Sequence, residues 1–414
     1  MSKEAAVEKN QPIRNGDPIP TGKKLILGMQ HTFTMFGATV LVPLITGIDI
    51  SVALFMAGIG TLLFHFLTKN KVPVFLGSSF AFIAPMMMVS GLYGQAYVQG
   101  GIVVAGLTYV VMAGLVYFFG HEKIVEYFPP IVTGPIIMVI GLKLAPTAID
   151  MASQNWLLAV VSLVIVIGIS IFAKGFLQVL PVLCGLIGGY AFAAFTGHID
   201  FTAVGEAALF GLPNFTLPKF NLESIMIIAP IAVATVVEHI GNIIVVGTTV
   251  EEDFIESPGL HRTLLGDGLA TSFSAFFGGP ANTTYAENTG VLALTKIYHP
   301  VIMRVAAVFA IILGIMPKLG AIINTIPAAI VGGISIVLFG MIASVGGRSF
   351  VENKIDFTSS RNLIIAAVIF VLGLGGATLP VNIGSISFTI EGMALAAIVG
   401  IILNKVLPSD AINA

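Results

Sequence analysis

Apolar runs follow one another from Lys24 almost to the C-terminus, each about 20 residues long and so able to cross roughly 30 Å of hydrocarbon. In lipid the backbone must satisfy its own polar groups, which restricts such a chain to helices or a closed barrel, and the runs read as helices. Charge is correspondingly sparse: 10% of the 414 residues, against about 25% in ordinary soluble domains, with a mean hydropathy of +1.00. A net charge of -2 and no Lys/Arg block longer than Lys23-Lys24 argue against a nucleic-acid partner. The one cysteine, Cys184, shows no metal-ligand spacing and reads as packing, so no metal or cofactor is expected.

Spans fall near 24–47, 50–68, 73–92, 96–119, 124–146, 156–174 and 176–196. After a polar connection, 197–221, others fall near 222–248, 259–278, 280–297, 299–317, 321–344, 361–378 and 386–407. The expected fold is therefore an all-α polytopic membrane protein of 14 transmembrane segments. With the N-terminus inside, all but Lys143, Lys219 and Lys318 of the 19 Lys and Arg residues lie on the cytosolic side, which places both termini in the cytoplasm. Seven spans in each half insert the halves with opposite orientation, the arrangement of two inverted 7-span repeats. Spacing supports it: Pro73 and Pro280 open corresponding segments 207 positions apart, and the same offset pairs Phe80 with Glu287 and His31 with Glu238.

Segments 3 and 10 of that count are interrupted. Gly278-Gly279-Pro280, then Asn282-Thr283-Thr284-Tyr285, break an apolar run where lipid tolerates no break, so protein must surround the extended stretch. Interrupted segments at corresponding places in two halves point to a substrate site. Glu287 follows in the first turn of a short helix, where N–H groups and the helix dipole favour a carboxylate or a polar ligand.

Glu238 lies deep in its span, where an acid is costly and functional by default. A mid-helix acid in apolar surroundings holds a proton more readily than one at a helix N-terminus, so Glu238 is the expected proton site and Glu287 the more persistent acceptor of N–H groups. His31 serves equally as a proton relay or as a hydrogen bond between helices. His239, turned about 100° from Glu238, is expected to bond a backbone carbonyl. Asp267 reads as a helix-end carboxylate, Asn282, Thr283, Thr284 and Asn288 as groups that satisfy broken backbone, and Glu391 as an acid near the outer mouth without an assigned role.

The run Glu287-Asn288-Thr289-Gly290, then Thr295-Lys296 after four residues, resembles the signature of the nucleobase–ascorbate transporter family. Pro73 to Ile83, Gln30-His31, Glu238 to Gly241 and Ser257 to Arg262 are similar to motifs of its bacterial uracil:proton symporters. The resemblance covers nearly the whole chain. It implies that Glu238 and Glu287 bind a nucleobase, that backbone N–H groups at Phe80 and Ala286 reach its carbonyls, and that Ala38, Phe80, Tyr285 and Phe339 wall the ring. It also implies a core (24–119 and 222–317) and a gate (120–196 and 318–407) between cytosolic tails 1–23 and 408–414, with a homodimer through the gate in many members. Two departures stand out: Asn242 occupies the place of a second histidine, and Ala286 that of a glycine.

The expected function is proton-coupled import of a neutral nucleobase across a bacterial plasma membrane by alternating access, uracil first and xanthine or another purine as the alternative. A neutral ligand gains nothing from the membrane potential, whereas a proton gains about 2.3 kcal/mol per 100 mV. An anion exchanger of similar fold would place a cation at the broken helices. No Arg or Lys stands inside the third, eighth or tenth segments before Lys296. An intramembrane enzyme would show H-E-x-x-H or G-x-S-x-G, and a primary pump a phosphate loop; none occurs.

Overall fold

The structure is a computed structural model that describes residues 11–383 and 386–408. The outer parts of both expected tails, and the side chain of Glu391, lie outside the described residues.

The first half of the chain forms α1 (Thr21–Thr46), α2 (Ile50–Leu67), β1 (Leu76–Ser78), α3 (Ile83–Tyr93), α4 (Gln95–Phe119), α5 (Pro130–Lys143), α6 (Ala145–Ser153), α7 (Trp156–Phe172) and α8 (Pro181–Phe195). The second half forms α9 (Leu222–Ile228), α10 (Ile231–Val250), α11 (Leu260–Phe276), β2 (Asn282–Thr284), α12 (Ala286–Thr295), α13 (Val301–Gly314), α14 (Pro317–Asn324), α15 (Ala328–Glu352), α16 (Ser360–Leu374), β3 (Thr378–Ile383), β4 (Ile386–Glu391) and α17 (Gly392–Val406). Among the described residues six helices are long and apolar enough to cross a membrane, and five shorter apolar helices accompany them. Phe118, Phe172 and Phe195 stand 79–90% exposed, as side chains that face lipid do.

Local chemistry sets the ends. Asp49 accepts from Val52 N–H to cap α2, Asn155 from Leu157 and Leu158 to cap α7, and Asn221 from Ser224 to cap α9. α1 stops at Gly47, whose left-handed backbone (φ 76°) suits a residue without Cβ. Proline accounts for several departures from the expected spans. The fifth starts at Pro130 rather than near 124, because Pro129-Pro130 supplies a first helical residue that needs no donor. The stretch expected as 321–344 is two helices: α14 bends 79° from α13, and α15 begins after Pro327 and runs to Glu352. The start of the last span is also different, since 386–391 is β4, paired antiparallel with β3.

The packing is two-fold in pattern. α4 lies against α11 as α13 lies against α2; α1 packs on α13 as α10 packs on α4; α7 with α8 matches α16 with α17; and α5 against α15 maps onto itself. Small residues allow the closest approaches, with Gly106 facing Gly268 between α4 and α11, and Gly134 facing Gly346 between α5 and α15. At the centre β1 and β2 pair antiparallel across more than 200 residues of chain, Leu76 with Thr284, Gly77 with Thr283 and Ser78 with Asn282.

Candidate functional site

The two strands carry buried backbone, and side chains of the surrounding helices complete its hydrogen bonding. Thr61 of α2 accepts from Leu76 N–H at 2.9 Å and donates to its carbonyl at 3.2 Å. Thr271 of α11 accepts from Asn282 N–H at 3.1 Å, while the Asn282 amide donates to Ala270 O at 3.1 Å. Ser79 N–H donates to Ala281 O and Tyr285 N–H to Phe75 O, so the ladder runs up to the helix starts. Asn282 thus fills the role its residue type suggested. Among the described residues the hydroxyls of Thr283 and Thr284 have no hydrogen-bond partner, and both residues serve the ladder through their main chain.

Each strand delivers a helix N-terminus to the middle of the molecule. Phe80 opens a short 3-10 turn (Phe80–Phe82) leading into α3, and Ala286 is the first residue of α12. The first amides of a helix have no intrahelical acceptor, so both ends present donors. Glu287 is half-buried in the first turn of α12 and lines a cavity of ≈ 60 Å³ with Thr34 and Ala38 of α1, Val179 to Leu183 before and in α8, and Leu338 and Met341 of α15. Glu238 of α10 is also half-buried, and among the described residues one of its carboxyl oxygens has no hydrogen-bond partner. The helices that carry the two acids, α10 and α12, pack against each other.

Phe80 and Phe339 meet edge to face with centroids 6.0 Å apart, and Phe80 lines a second, smaller cavity with Ile140, Lys143, Ile231 and Met393. Ala38 and Glu287 line the first cavity and Phe80 the second, while Phe339 lines neither and reaches Phe80 through the ring contact. Tyr285 is held elsewhere. Its ring covers Gly77, and its hydroxyl donates to Ser78 O at 3.1 Å and accepts from Thr39 at 3.3 Å, so it pins β1 to α1 instead of lining either cavity. Gly77→Ala would drive a methyl group into that ring, and a cost of about 1–3 kcal/mol is expected. A lowered Tm of the purified protein checks it; an unchanged Tm would mean the ring can retreat.

His31 is buried with its Nδ1 3.0 Å from the amide of Asn288, which also donates to the His31 carbonyl at 3.1 Å, tying α1 to α12. Asn242, one turn after Glu238, donates to Thr284 O at 3.2 Å and so links α10 to β2. Two sequence expectations need correction. Asp267 is no helix-end group: it sits two turns inside α11, fully buried. His239 meets that carboxylate, Nδ1 to Oδ2 at 2.8 Å, rather than a backbone carbonyl. Thr34, the stretch Val179 to Leu183, and Leu338 and Met341 beside the expected Phe339 were missed; Thr34, one turn before Ala38 on α1, carried a readable signal in its spacing.

Long apolar helices and a surface of exposed aromatics and aliphatics define a multi-pass membrane protein. A family model described as a permease family matches residues 22–382, and the chain belongs to that family of transporters, which are not enzymes. It is 45% identical over 395 residues to a probable uracil permease of Haemophilus influenzae, covering 93% of this chain and 94% of that one. It is 44% identical to the uracil permease of Bacillus caldolyticus (96% and 95% covered) and 39% identical to that of Escherichia coli (94% and 92%). Among solved structures, the inward-facing murine Solute Carrier 26 family member A9 anion transporter matches with TM-score 0.69 at 11% identity, over 98% of this chain and 72% of that one. The transmembrane domain of the cyanobacterial bicarbonate transporter BicA matches with TM-score 0.59 at 14% identity (92% and 96%). At such identities the likeness is one of fold alone.

Proposed function

We propose that this chain is a secondary transporter that imports a neutral nucleobase, uracil in first place, together with a proton across a bacterial plasma membrane. The observation that carries the reading is Glu287 in the first turn of α12, opening onto a cavity with Ala38, with Glu238 on the α10 helix packed against α12 and no Lys or Arg on α10 or α12. Carboxyl groups accept ring N–H groups and helix-end amides donate to ring carbonyls, which complements a uracil-like edge without any ligand charge. The names of relatives 39–45% identical support the same cargo. An anion cargo, as the names of the structural neighbours state for them, lacks a fixed cation on either acid-bearing helix.

In this reading the 14 segments form two inverted repeats, supported by the two-fold packing pattern, and both termini face the cytoplasm. The core carries Glu238, Glu287, Phe80, Ala286 and Ala38, and the gate carries Phe339. The cavity at Glu287 is ≈ 60 Å³, small beside the roughly 300 Å³ at the lower end of ligand pockets, so a ring enters as core and gate part. Alternating access follows from that movement. Glu238 carries the proton, Glu287 holds the ring N–H groups, and His31 latches α12 to α1 through Asn288. His31→Ala is expected to weaken transport several-fold by loosening the latch while leaving the pH profile in place; a displaced profile would assign it a relay instead. Dimerisation through the gate is part of the proposal and is checked by the mass of the detergent-solubilised particle.

The deciding experiment is uptake of labelled uracil into proteoliposomes at two external pH values, with xanthine, guanine and thymine as competitors. Uptake favoured by an acidic exterior and blocked by uracil in preference to the purines is expected. Preference for xanthine would move the chain to the purine branch, and uptake indifferent to the proton gradient would end the symport reading.

A further inference from the structure

We infer, resting on the transport reading above, that Arg14 is a positioning residue for the nucleobase site. With Ile13 and Asn15 it clasps the far ends of the segments that carry Glu238, Glu287 and Phe80, and so fixes these three groups relative to one another from outside the cavity.

The contacts reach all three segments. The Arg14 guanidinium donates to Val250 O at 2.7 Å and to Glu251 Oε2 at 2.6 Å, at the C-terminal end of α10, and lies 5.8 Å from the centroid of the Tyr298 ring. Ile13 N–H donates to Lys296 O at 3.0 Å, just past the end of α12, and Tyr298 N–H donates to Ile13 O at 2.8 Å. The Asn15 amide donates to Asn70 O at 3.3 Å, in the turn that leads to β1 and Phe80, and Arg304 of α13 donates to the Asn70 side chain at 3.0 Å. Asp17 holds the bend by accepting from Arg14 N–H at 2.7 Å. Beneath it Ile13 packs on Ile19, Leu27, Ile297 and Ile302.

Helix chemistry explains why a guanidinium stands here. α10 and α12 each end in a non-glycine residue with left-handed backbone, Glu251 (φ 60°) and Lys296 (φ 55°). The last carbonyls of a helix lack intrahelical donors and carry the negative end of its dipole, so a cation that donates to them is favoured. The ion pair itself is a minor part. Arg14 and Glu251 are 35% and 75% exposed, and water and salt screen such a pair. The larger part is the planar fork, which reaches two acceptors at once beside the main-chain bonds of Ile13.

Rigid helices carry the constraint inward. At 1.5 Å per residue, Glu238 lies about 20 Å from the clasped end of α10 and Glu287 about 14 Å from that of α12. α12 has only ten residues, and between β2 and the clasp both of its ends are held. Asn70, Val250, Glu251, Lys296 and Tyr298 all fall within the core of the proposed division, so the clasp acts inside the body that carries the two acids.

The test is calorimetric titration of the full chain with uracil, using Arg14→Ala, Arg14→Lys and Glu251→Gln, and Arg14→Ala combined with Glu287→Gln. Arg14→Ala is expected to weaken Kd roughly tenfold, within the range by which remote residues modulate a site. Arg14→Lys should recover part of that loss, since an ammonium replaces the fork with a point charge, and Glu251→Gln should change Kd little. In the Glu287→Gln background the loss from Arg14→Ala should shrink, because both changes act on one carboxyl group. A merely structural role would lower Tm and leave the Kd of the folded protein in place, which overturns the inference, as do losses that simply add in the double variant. If Arg14→Ala does not fold, Arg14→Lys decides, and an unmoved Kd overturns it. A parent chain that binds uracil while the Arg14 variants bind it equally well sinks this inference alone, whereas a parent chain that binds no nucleobase sinks the transport reading and this inference with it.

Discussion

Alanine at Glu287 is expected to weaken nucleobase binding by roughly one to two orders of magnitude, the worth of a hydrogen bond to a charged group. The carboxyl sits in the first turn of α12, where dipole and free N–H groups hold it in place, and it opens onto the same cavity as Ala38 and Thr34. Truncation removes the acceptor and leaves ring N–H groups unpaired in a closed cleft, which is the more expensive half of the loss. Glu287→Gln keeps one acceptor oxygen and should fall between alanine and the parent chain. Calorimetric titration of the purified protein with uracil measures this directly. A Kd unmoved by Glu287→Ala would place the nucleobase elsewhere.

Glu238→Gln separates binding from coupling. Glutamine has the shape of a protonated glutamate and cannot release its proton, so exchange of labelled for unlabelled uracil should persist while uphill uptake fails. The drive forfeited is about 2.3 kcal/mol per 100 mV, a fall in accumulation ratio of roughly fiftyfold at that potential. The signature is the split itself: counterflow kept, concentration against a gradient lost. Vesicles carrying the Glu238→Gln variant that still concentrate uracil would remove Glu238 from the proton path.

The helices were legible in the sequence because hydropathy over twenty residues dominates every local preference, and the interruptions at Pro73 and Gly278-Gly279-Pro280 announced themselves through residues a lipid-facing helix excludes. That the two interruptions would become neighbouring strands depends on contacts more than 200 residues apart, which no local pattern encodes. The β3–β4 pairing was hidden for a different reason. Val381, Ile383, Ile386, Phe388 and Ile390 make an apolar stretch that hydropathy alone cannot tell from a span, although alternation with Asn382, Ser387 and Thr389 is the strand period. Asp267 was misjudged because it lies near the start of the expected ninth span, and only the packing of α11 against α4 and α10 shows that it is interior. Tyr285, expected from the resemblance to wall a bound ring, has its hydroxyl bonded to Ser78 O and Thr39, contacts that lie more than 200 residues away in the chain.

Ser79 and Tyr285 spend their amides on the strand pairing, so the next main-chain donors along each segment, at Phe80 and Ala286, are the first that a guest can meet. Their separation is set by the register of Gly77 with Thr283 and is carried by atoms that every residue possesses. A gauge built from the peptide chain cannot be recalibrated by point mutation. On the proposed reading, a change from a one-ring cargo to a larger one then falls to the side chains of Ala38, Phe80, Glu287 and Phe339.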